Sequence, residues 1–396
     1  MSESAPLSRL PFSRPCISEA AALDVAEVVR SGWITSGPRV IQFEQDFCAY
    51  TGAAHAVAMC SATAGLDVVM HCLDLKPGDE VIVPSINWVS GPNMIELNGG
   101  RCVFAEVEAD TLNLDLAHVE KLLSPRTRAV MPVHFAGAPI DLDRLRRILA
   151  THKTATGNDV MIVEDAAHAA GTRWNGKPIG ADSDVAVFSF HPTKNITTAE
   201  GGMVVCKSPE MAARLRLGRF HGIRKDAWKN HARSGKDLYH VVEPGRKYNL
   251  TDIQATLGIH QLRDLDRMNA ERGELAKLYH RLFAGVRCVK PLALPTASSV
   301  NHAWHIFIVL VQHELLTIDR AGVVDRLEQA GIGTALHFPP THTQDYYART
   351  YPGLCLPISE DVGARLLTIP LFPGMREADV VRVVDAFKTI EKECGR

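Results

Sequence analysis

The sequence predicts an α/β protein, with a large domain built on a mainly parallel seven-stranded sheet and a small α+β C-terminal domain. Three observations lead there. Between residues 54 and 206, apolar runs bounded by turn residues alternate with segments of helical period. An extended helical pattern follows over 251–283 (IQATLGIHQLRDLDRMNAERGELAKLYHRLF), far longer than an average globular helix. After Pro291 the pattern changes again, to a strand and two helices.

Taken in order, residues 18–30 read as a helix capped by Ser18. A strand at 55–59 leads into a helix at 62–73, then a strand at 80–84 and a helix at 89–97. Next come a strand at 102–105, a helix at 115–123 with Asp115 as cap, a strand at 129–133 and a helix at 141–151. Strands at 160–164, 186–190 and 203–206 complete the sheet. The Gly-rich, charged stretch 221–249 reads as a long loop. In the C-terminal part a strand at 304–311 precedes helices at 319–330 and 378–393. The expected division is residues 1–250, an N-terminal helix and the large domain, and 251–396, the connecting helix and the small domain.

Composition narrows the function. The 396 residues carry 43 Lys+Arg against 45 Asp+Glu, a net charge of −2, with 46% hydrophobic and 22% charged residues. That is an ordinary globular balance, and it argues against nucleic acid as a partner bound through overall basicity. No apolar stretch of signal-peptide or membrane-span length occurs, so a cytoplasmic protein without a membrane partner is expected. The nine cysteines have no CxxC pair and read as structural thiols, several of them inside apolar runs. The 17 histidines contain no HExxH pattern, so no metal site is expected.

Three constellations carry chemistry. Cys60-Ser61-Ala62-Thr63-Ala64-Gly65 places small and hydroxyl residues between a strand and a helix, where free N–H groups and the helix dipole favour an anion, most often phosphate. Ser61 or Thr63 serves equally well as a plain N-cap. Glu164-Asp165-Ala166-Ala167-His168 ends an apolar strand, the place where α/β sheets meet ligands; an acidic cap followed by a satisfied histidine is the alternative. Phe188-Ser189-Phe190-His191-Pro192-Thr193-Lys194 delivers a lysine from a buried-looking strand into small polar residues before Gly201-Gly202. A desolvated lysine loses basicity and forms Schiff bases, whereas the plain reading is a surface lysine. Together the three describe a pyridoxal phosphate site: an anion cradle, a carboxylate for the ring nitrogen and an amine for the aldehyde.

Carrying these motifs in order, the chain resembles the DegT/DnrJ/EryC1/StrS sugar aminotransferases. Further matching blocks are PFSRP (11–15), SGWITSGP (31–38), PSINWVS (84–90), PVHFAGAP (132–139), YNLTDIQA (248–255), HAWHIFIV (302–309) and GIGTALHF (331–338). Within the family the pattern is nearest the branch that makes UDP-4-amino-4-deoxy-L-arabinose for lipid A modification in lipopolysaccharide biosynthesis. The resemblance implies a fold-type-I enzyme in which Lys194 holds pyridoxal phosphate and moves the proton. Asp165 would meet the ring nitrogen, Trp88 stack on the ring and His168 lie near its ring oxygen. Ala62, Thr63 and Ser189 would bind the phosphate, and Asn249 would reach the phosphate of a neighbouring subunit, giving a homodimer with a shared site. Arg14 and His337 are candidates for substrate contacts. The implied substrates are L-glutamate, leaving as 2-oxoglutarate, and a nucleotide-linked keto sugar aminated at C4.

The chain departs from that branch in three places. Pro192-Thr193 replaces Ala-Ile before the lysine, the region 155–159 is a few residues longer, and Arg224 and Lys225 stand where small or apolar residues are expected. Three alternatives stay open: another 3- or 4-keto nucleotide sugar, a sugar dehydratase, and a non-catalytic pyridoxal phosphate-binding regulatory protein. Lys194 argues against the second, whose lysine is replaced by histidine, and with Asp165 against the third.

Overall fold

The computed structural model describes residues 9–224, 239–293 and 300–396. Two helices open the chain, α1 (Glu19–Ser31) and α2 (Pro38–Thr51). Ser18 caps α1 as its position suggests, with Oγ accepting from Ala21 N at 3.2 Å. The sequence reading lacks α2; its Pro at N1 and the left-handed Gly52 after its end are ordinary start and stop signals.

The main sheet has seven strands: β1 (His55–Met59), β2 (Glu80–Pro84), β3 (Arg101–Ala105), β4 (Thr127–Val130), β5 (Met161–Asp165), β8 (Val185–Ser189) and β9 (Gly202–Cys206). Their order is β1-β9-β8-β5-β4-β2-β3. All neighbours pair in parallel except β9, which runs antiparallel to both β1 and β8. Central strands such as Val-Ala-Val-Phe-Ser are buried along their whole length, because helices cover both faces. The C-terminal ends of β1, β2, β5 and β8 therefore lie along one edge of the sheet. Helix α3 (Ala62–Cys72) starts at that edge directly after β1. A small hairpin, β6 (Arg173–Trp174) with β7 (Lys177–Pro178), and helix α7 (Pro209–Arg219) are further elements absent from the sequence reading.

The long helical pattern is one helix, α8 (Asp252–Phe283), started by a capping box between Thr251 and Gln254. Its first half packs Ala255, Ile259, Leu265 and Met268 into the core beside the large sheet. Its second half gives Leu275, Tyr279 and Phe283 to another core, under a three-stranded antiparallel sheet of β10 (Val289–Pro291), β11 (Phe307–Val311) and β12 (Leu366–Ile369). A strand starting at residue 304 is corrected to one starting at Phe307. Residues 303–305 instead bond to the large-sheet side, Ala303 N to Gly137 O at 3.2 Å and His305 N to Ala136 O at 3.0 Å. The described parts of the 221–249 loop hold isolated bridges such as Phe220 with Lys247; Arg224 is exposed there, and Lys225 lies outside the described residues.

Candidate active site

The shared edge of the sheet opens into a cavity of about 310 Å³. Four separate stretches of chain build its polar lining, each placed by a strand end. After β1, the Ser61 hydroxyl caps Ala64 N at 3.0 Å. This leaves the amides of Ala62 and Thr63, in the first turn of α3, to be met from outside the helix. Gly202 lets β9 approach that turn: a Cβ there would lie 2.6 Å from Ala62 N and Ser61 C. After β2 come Asn87 and Trp88; after β5, Asp165 and His168; after β8, Ser189 and Lys194.

Lys194 sits in the connection from β8 to β9. A turn closes from Lys194 N to His191 O at 2.9 Å, which puts Pro192 at the second turn position, where its fixed φ is favoured. That accounts for a proline beside the lysine. The connection is tied to α8: Asn195 Nδ2 donates to Asn269 Oδ1 at 2.7 Å, and Thr197 N donates to Gln261 Oε1 at 3.2 Å.

Burial governs the electrostatics. It pushes the Lys194 amine down to about 8, with Asp165 pulling the other way. The Asp165 carboxyl is raised by burial, partly offset by the Ala167 amide, which donates to Oδ1 at 3.0 Å, and by Lys194. His168 is held far below the ordinary imidazole range by burial, with Lys194 and His337 adding to it, and so is neutral. Its Nδ1 accepts from Ala136 N at 3.2 Å, so the ring proton sits on Nε2. Burial and Lys194 push His337 down to about 3, and its Nδ1 lies 2.9 Å from Thr368 Oγ1. Trp88 stands on the rim, 57% exposed, its ring 5.5 Å from that of Phe338.

The residues fit pyridoxal phosphate. Two helix-start amides and the Ser189 hydroxyl are placed to form an anion cradle, a buried carboxylate makes no ion pair among the described residues, and an amine of lowered basicity lies in the same cavity. The Asn87 side-chain amide, which is buried and also lines the cavity, finds no hydrogen-bond partner for Nδ2 among the described residues. Seven of the eight predicted cofactor residues, Ala62, Thr63, Trp88, Asp165, His168, Ser189 and Lys194, therefore meet in this space together with His337.

Two predicted residues do not line it. Arg14 is exposed and outside the cavity. Asn249 lines a separate pocket, where its Nδ2 donates to Ser36 Oγ at 2.7 Å and Lys247 donates to its Oδ1. Sequence reasoning missed Asn87, Phe338 and His305. All three lie in blocks that carry the family pattern, which is the signal that could have flagged them.

A family model described as the DegT/DnrJ/EryC1/StrS aminotransferase family matches residues 15–388. Among solved structures, the chain is similar to S. venezuelae DesV in complex with a ketimine intermediate, at 33% identity and TM-score 0.84, with 98% of this chain and 99% of that one covered. Spr1654 of Streptococcus pneumoniae, assigned as a sugar aminotransferase, matches in its PMP form at 32% identity and TM-score 0.89, covering 97% and 99%. PseC of Helicobacter pylori, an aminotransferase involved in the biosynthesis of pseudoaminic acid, matches at 27% identity and TM-score 0.88, covering 97% and 100%.

Proposed function

This chain belongs to the DegT/DnrJ/EryC1/StrS aminotransferase family, and from that premise we propose that it transfers an amino group from L-glutamate to the C4 ketone of a nucleotide-linked keto sugar. It is a fold-type-I, pyridoxal phosphate-dependent aminotransferase. The acceptor proposed is a UDP-4-keto-pentose, giving UDP-4-amino-4-deoxy-L-arabinose in the cytoplasm, with 2-oxoglutarate as co-product. The single observation that carries the reading is the placing of Lys194, Asp165 and the start of α3 around one cavity. Among the described residues no helix is long and apolar enough to cross a membrane.

When bound, the cofactor supplies an aldehyde that holds the amino group and a ring that takes up the electrons left by a departing proton. The chain supplies the rest. Lys194, with an amine near 8, holds or releases a proton at Nζ close to neutral pH, so one group can take the α-proton of glutamate and return one to C4 of the sugar. Because it works from one wall of the cavity, it fixes which face of C4 is protonated. The Asp165 carboxylate stabilises a protonated ring nitrogen and is itself kept ionised by it. His168 offers Nε2–H toward the ring oxygen. The Ala62 and Thr63 amides and the Ser189 hydroxyl hold the phosphate, and Trp88 covers the ring and excludes water. His337 and, from outside this cavity, Arg14 are the proposed substrate contacts.

The enzyme is proposed to work as a homodimer in which Asn249 reaches the partner's phosphate. Its place outside its own chain's cavity supports this, as do the exposed Trp33, Ile34 and Ile41 in the segment leading to and along α2. The alternative acceptor is another 3- or 4-keto nucleotide sugar, favoured by the exposed Arg224 where the arabinose branch has small or apolar residues.

The test is a panel of 4-keto UDP-, dTDP- and GDP-sugars with L-glutamate, read by mass spectrometry. The expected result is a mass corresponding to the 4-amino pentose with the UDP-pentose. Amination of only a different keto sugar would move the assignment to that sugar, and no amination of any would overturn it.

A further inference from the structure

On the reading of Lys194 as the base, its amine is free of the cofactor whenever it moves a proton. A free lysine has a flexible four-carbon stem, and ordering it costs rotamer entropy. Lys194 makes no ion pair among the described residues. Its side-chain hydrogen-bond contact among the described residues is His305, whose Nε2 lies 3.5 Å from Nζ, a long separation of the kind that tightens in working complexes.

His305 is 1% exposed and comes from the C-terminal part of the chain, 111 residues from the lysine. It is held tightly from several sides. Its backbone N donates to Ala136 O at 3.0 Å, and its carbonyl accepts from the buried Arg272 guanidinium at 3.0 Å. Two residues before it, Ala303 O accepts at 2.7 Å from Asn195, the residue next to Lys194. The segments that carry lysine and histidine are thus tied together through the Asn195 side chain and the Ala303 carbonyl. The ring itself is not committed: Nδ1 is buried without a hydrogen-bond partner among the described residues. An orphaned buried donor or acceptor loses its hydration without compensation, so it calls for a reason. His168 differs, since Ala136 N fixes its tautomer. With Nδ1 unengaged, neither tautomer of His305 is locked, and Nε2 can accept from an ammonium or donate to a neutral amine.

We propose that His305 is a positioning residue that holds the free Lys194 amine between proton transfers, with Nε2 serving both protonation states. The inference rests on the reading of Lys194 as the cofactor-holding base. The groups facing the amine are Asp165, His168, His305 and His337, with Arg272 behind His305. Asp165 is the only carboxylate among them, and the histidines are held neutral by burial, so removing the His305 acceptor destabilises the ammonium and leaves the amine less basic.

The test uses cofactor-free protein. Limiting acetic anhydride is applied across a pH series, and acetylation of Lys194 is read by peptide mass spectrometry. In His305→Phe the midpoint should fall by about one pH unit, while His305→Gln, which retains an acceptor, should recover at least half of that. The loaded enzyme should show a matching split, with kcat about tenfold lower in the Phe variant and partly restored in the Gln variant. A Lys194 midpoint unchanged in His305→Phe, or an equal fall in both variants, would overturn the proposal. Uptake of pyridoxal phosphate is followed by visible absorbance in parallel. A wild-type protein that takes up none sinks the underlying reading of Lys194 and this inference with it, whereas uptake with an unmoved midpoint sinks the role of His305 alone.

Discussion

The Lys194 cavity and the Asn249 pocket have the same volume, about 310 Å³, and opposite chemistry. The first gathers a lysine, a buried carboxylate, two neutral histidines and the open start of a helix. The second is walled by Val40, Ile41, Phe220 and Ile223, and its charges are already engaged, with Arg219 and Glu44 paired within it. One subunit therefore brings the Lys194 amine, the Asp165 carboxylate and the start of α3 to one cavity by itself. It directs Asn249 elsewhere. The difference teaches that the polar lining of the Lys194 cavity depends on strand ends within one chain, while the role proposed for Asn249 requires a second copy.

The strongest way to break the comparison is at the lysine. Lys194→Ala should lower turnover by at least about 10³-fold in a steady-state assay, even where pyridoxal phosphate stays bound non-covalently. Residual activity within tenfold of wild type would remove the cavity's claim to the chemistry.

The second test addresses the shared site. Reassorting Lys194→Ala with Asn249→Ala protein should produce heterodimers in which one site draws both intact residues and the other neither. Activity should then rise to about a quarter of wild type after equal mixing, since about half the dimers are mixed and half their sites are intact. A simple average of the two parents would mean that each subunit is self-contained.

A smaller effect is expected where the two regions approach each other, at the start of α3. In Gly202→Ala the new Cβ meets backbone atoms of Ser61 and Ala62 that cannot swing aside. Stability should fall by about 1–3 kcal/mol in denaturant titration and cofactor affinity by roughly tenfold. Unchanged affinity would show that the α3 amides are not part of the phosphate cradle.

The smallest effect is a pH dependence. The Lys194 amine loses its proton near 8 when folded but near its ordinary 10.5 when unfolded. Between these values the unfolded chain binds more protons, so stability rises with pH across that window, and the cost of burying the ammonium is felt in full below about 8. Cofactor-free wild type should gain about 1–3 kcal/mol relative to Lys194→Met between pH 8 and 10. Parallel stability curves for the two proteins would show that Lys194 is not desolvated.

The sequence by itself determined the sheet, the length of α8 and the grouping of Ala62, Thr63, Asp165, Ser189 and Lys194. These are written locally: apolar runs mark buried strands, caps mark helix starts, and a strand end carries its next few residues to a known edge of the sheet. Short elements with weak periodicity, such as the β6–β7 hairpin, were not legible, and neither was the antiparallel course of β9, because a strand's direction leaves no trace in its alternation. Only the tertiary structure decided that Arg14 lies outside the cavity, that Asn249 lines another pocket, and that His305 reaches Lys194. Such contacts join residues more than 100 positions apart, 111 for His305 with Lys194 and 213 for Asn249 with Ser36, and they follow from how sheet, long helix and C-terminal segment pack together, which no local pattern encodes.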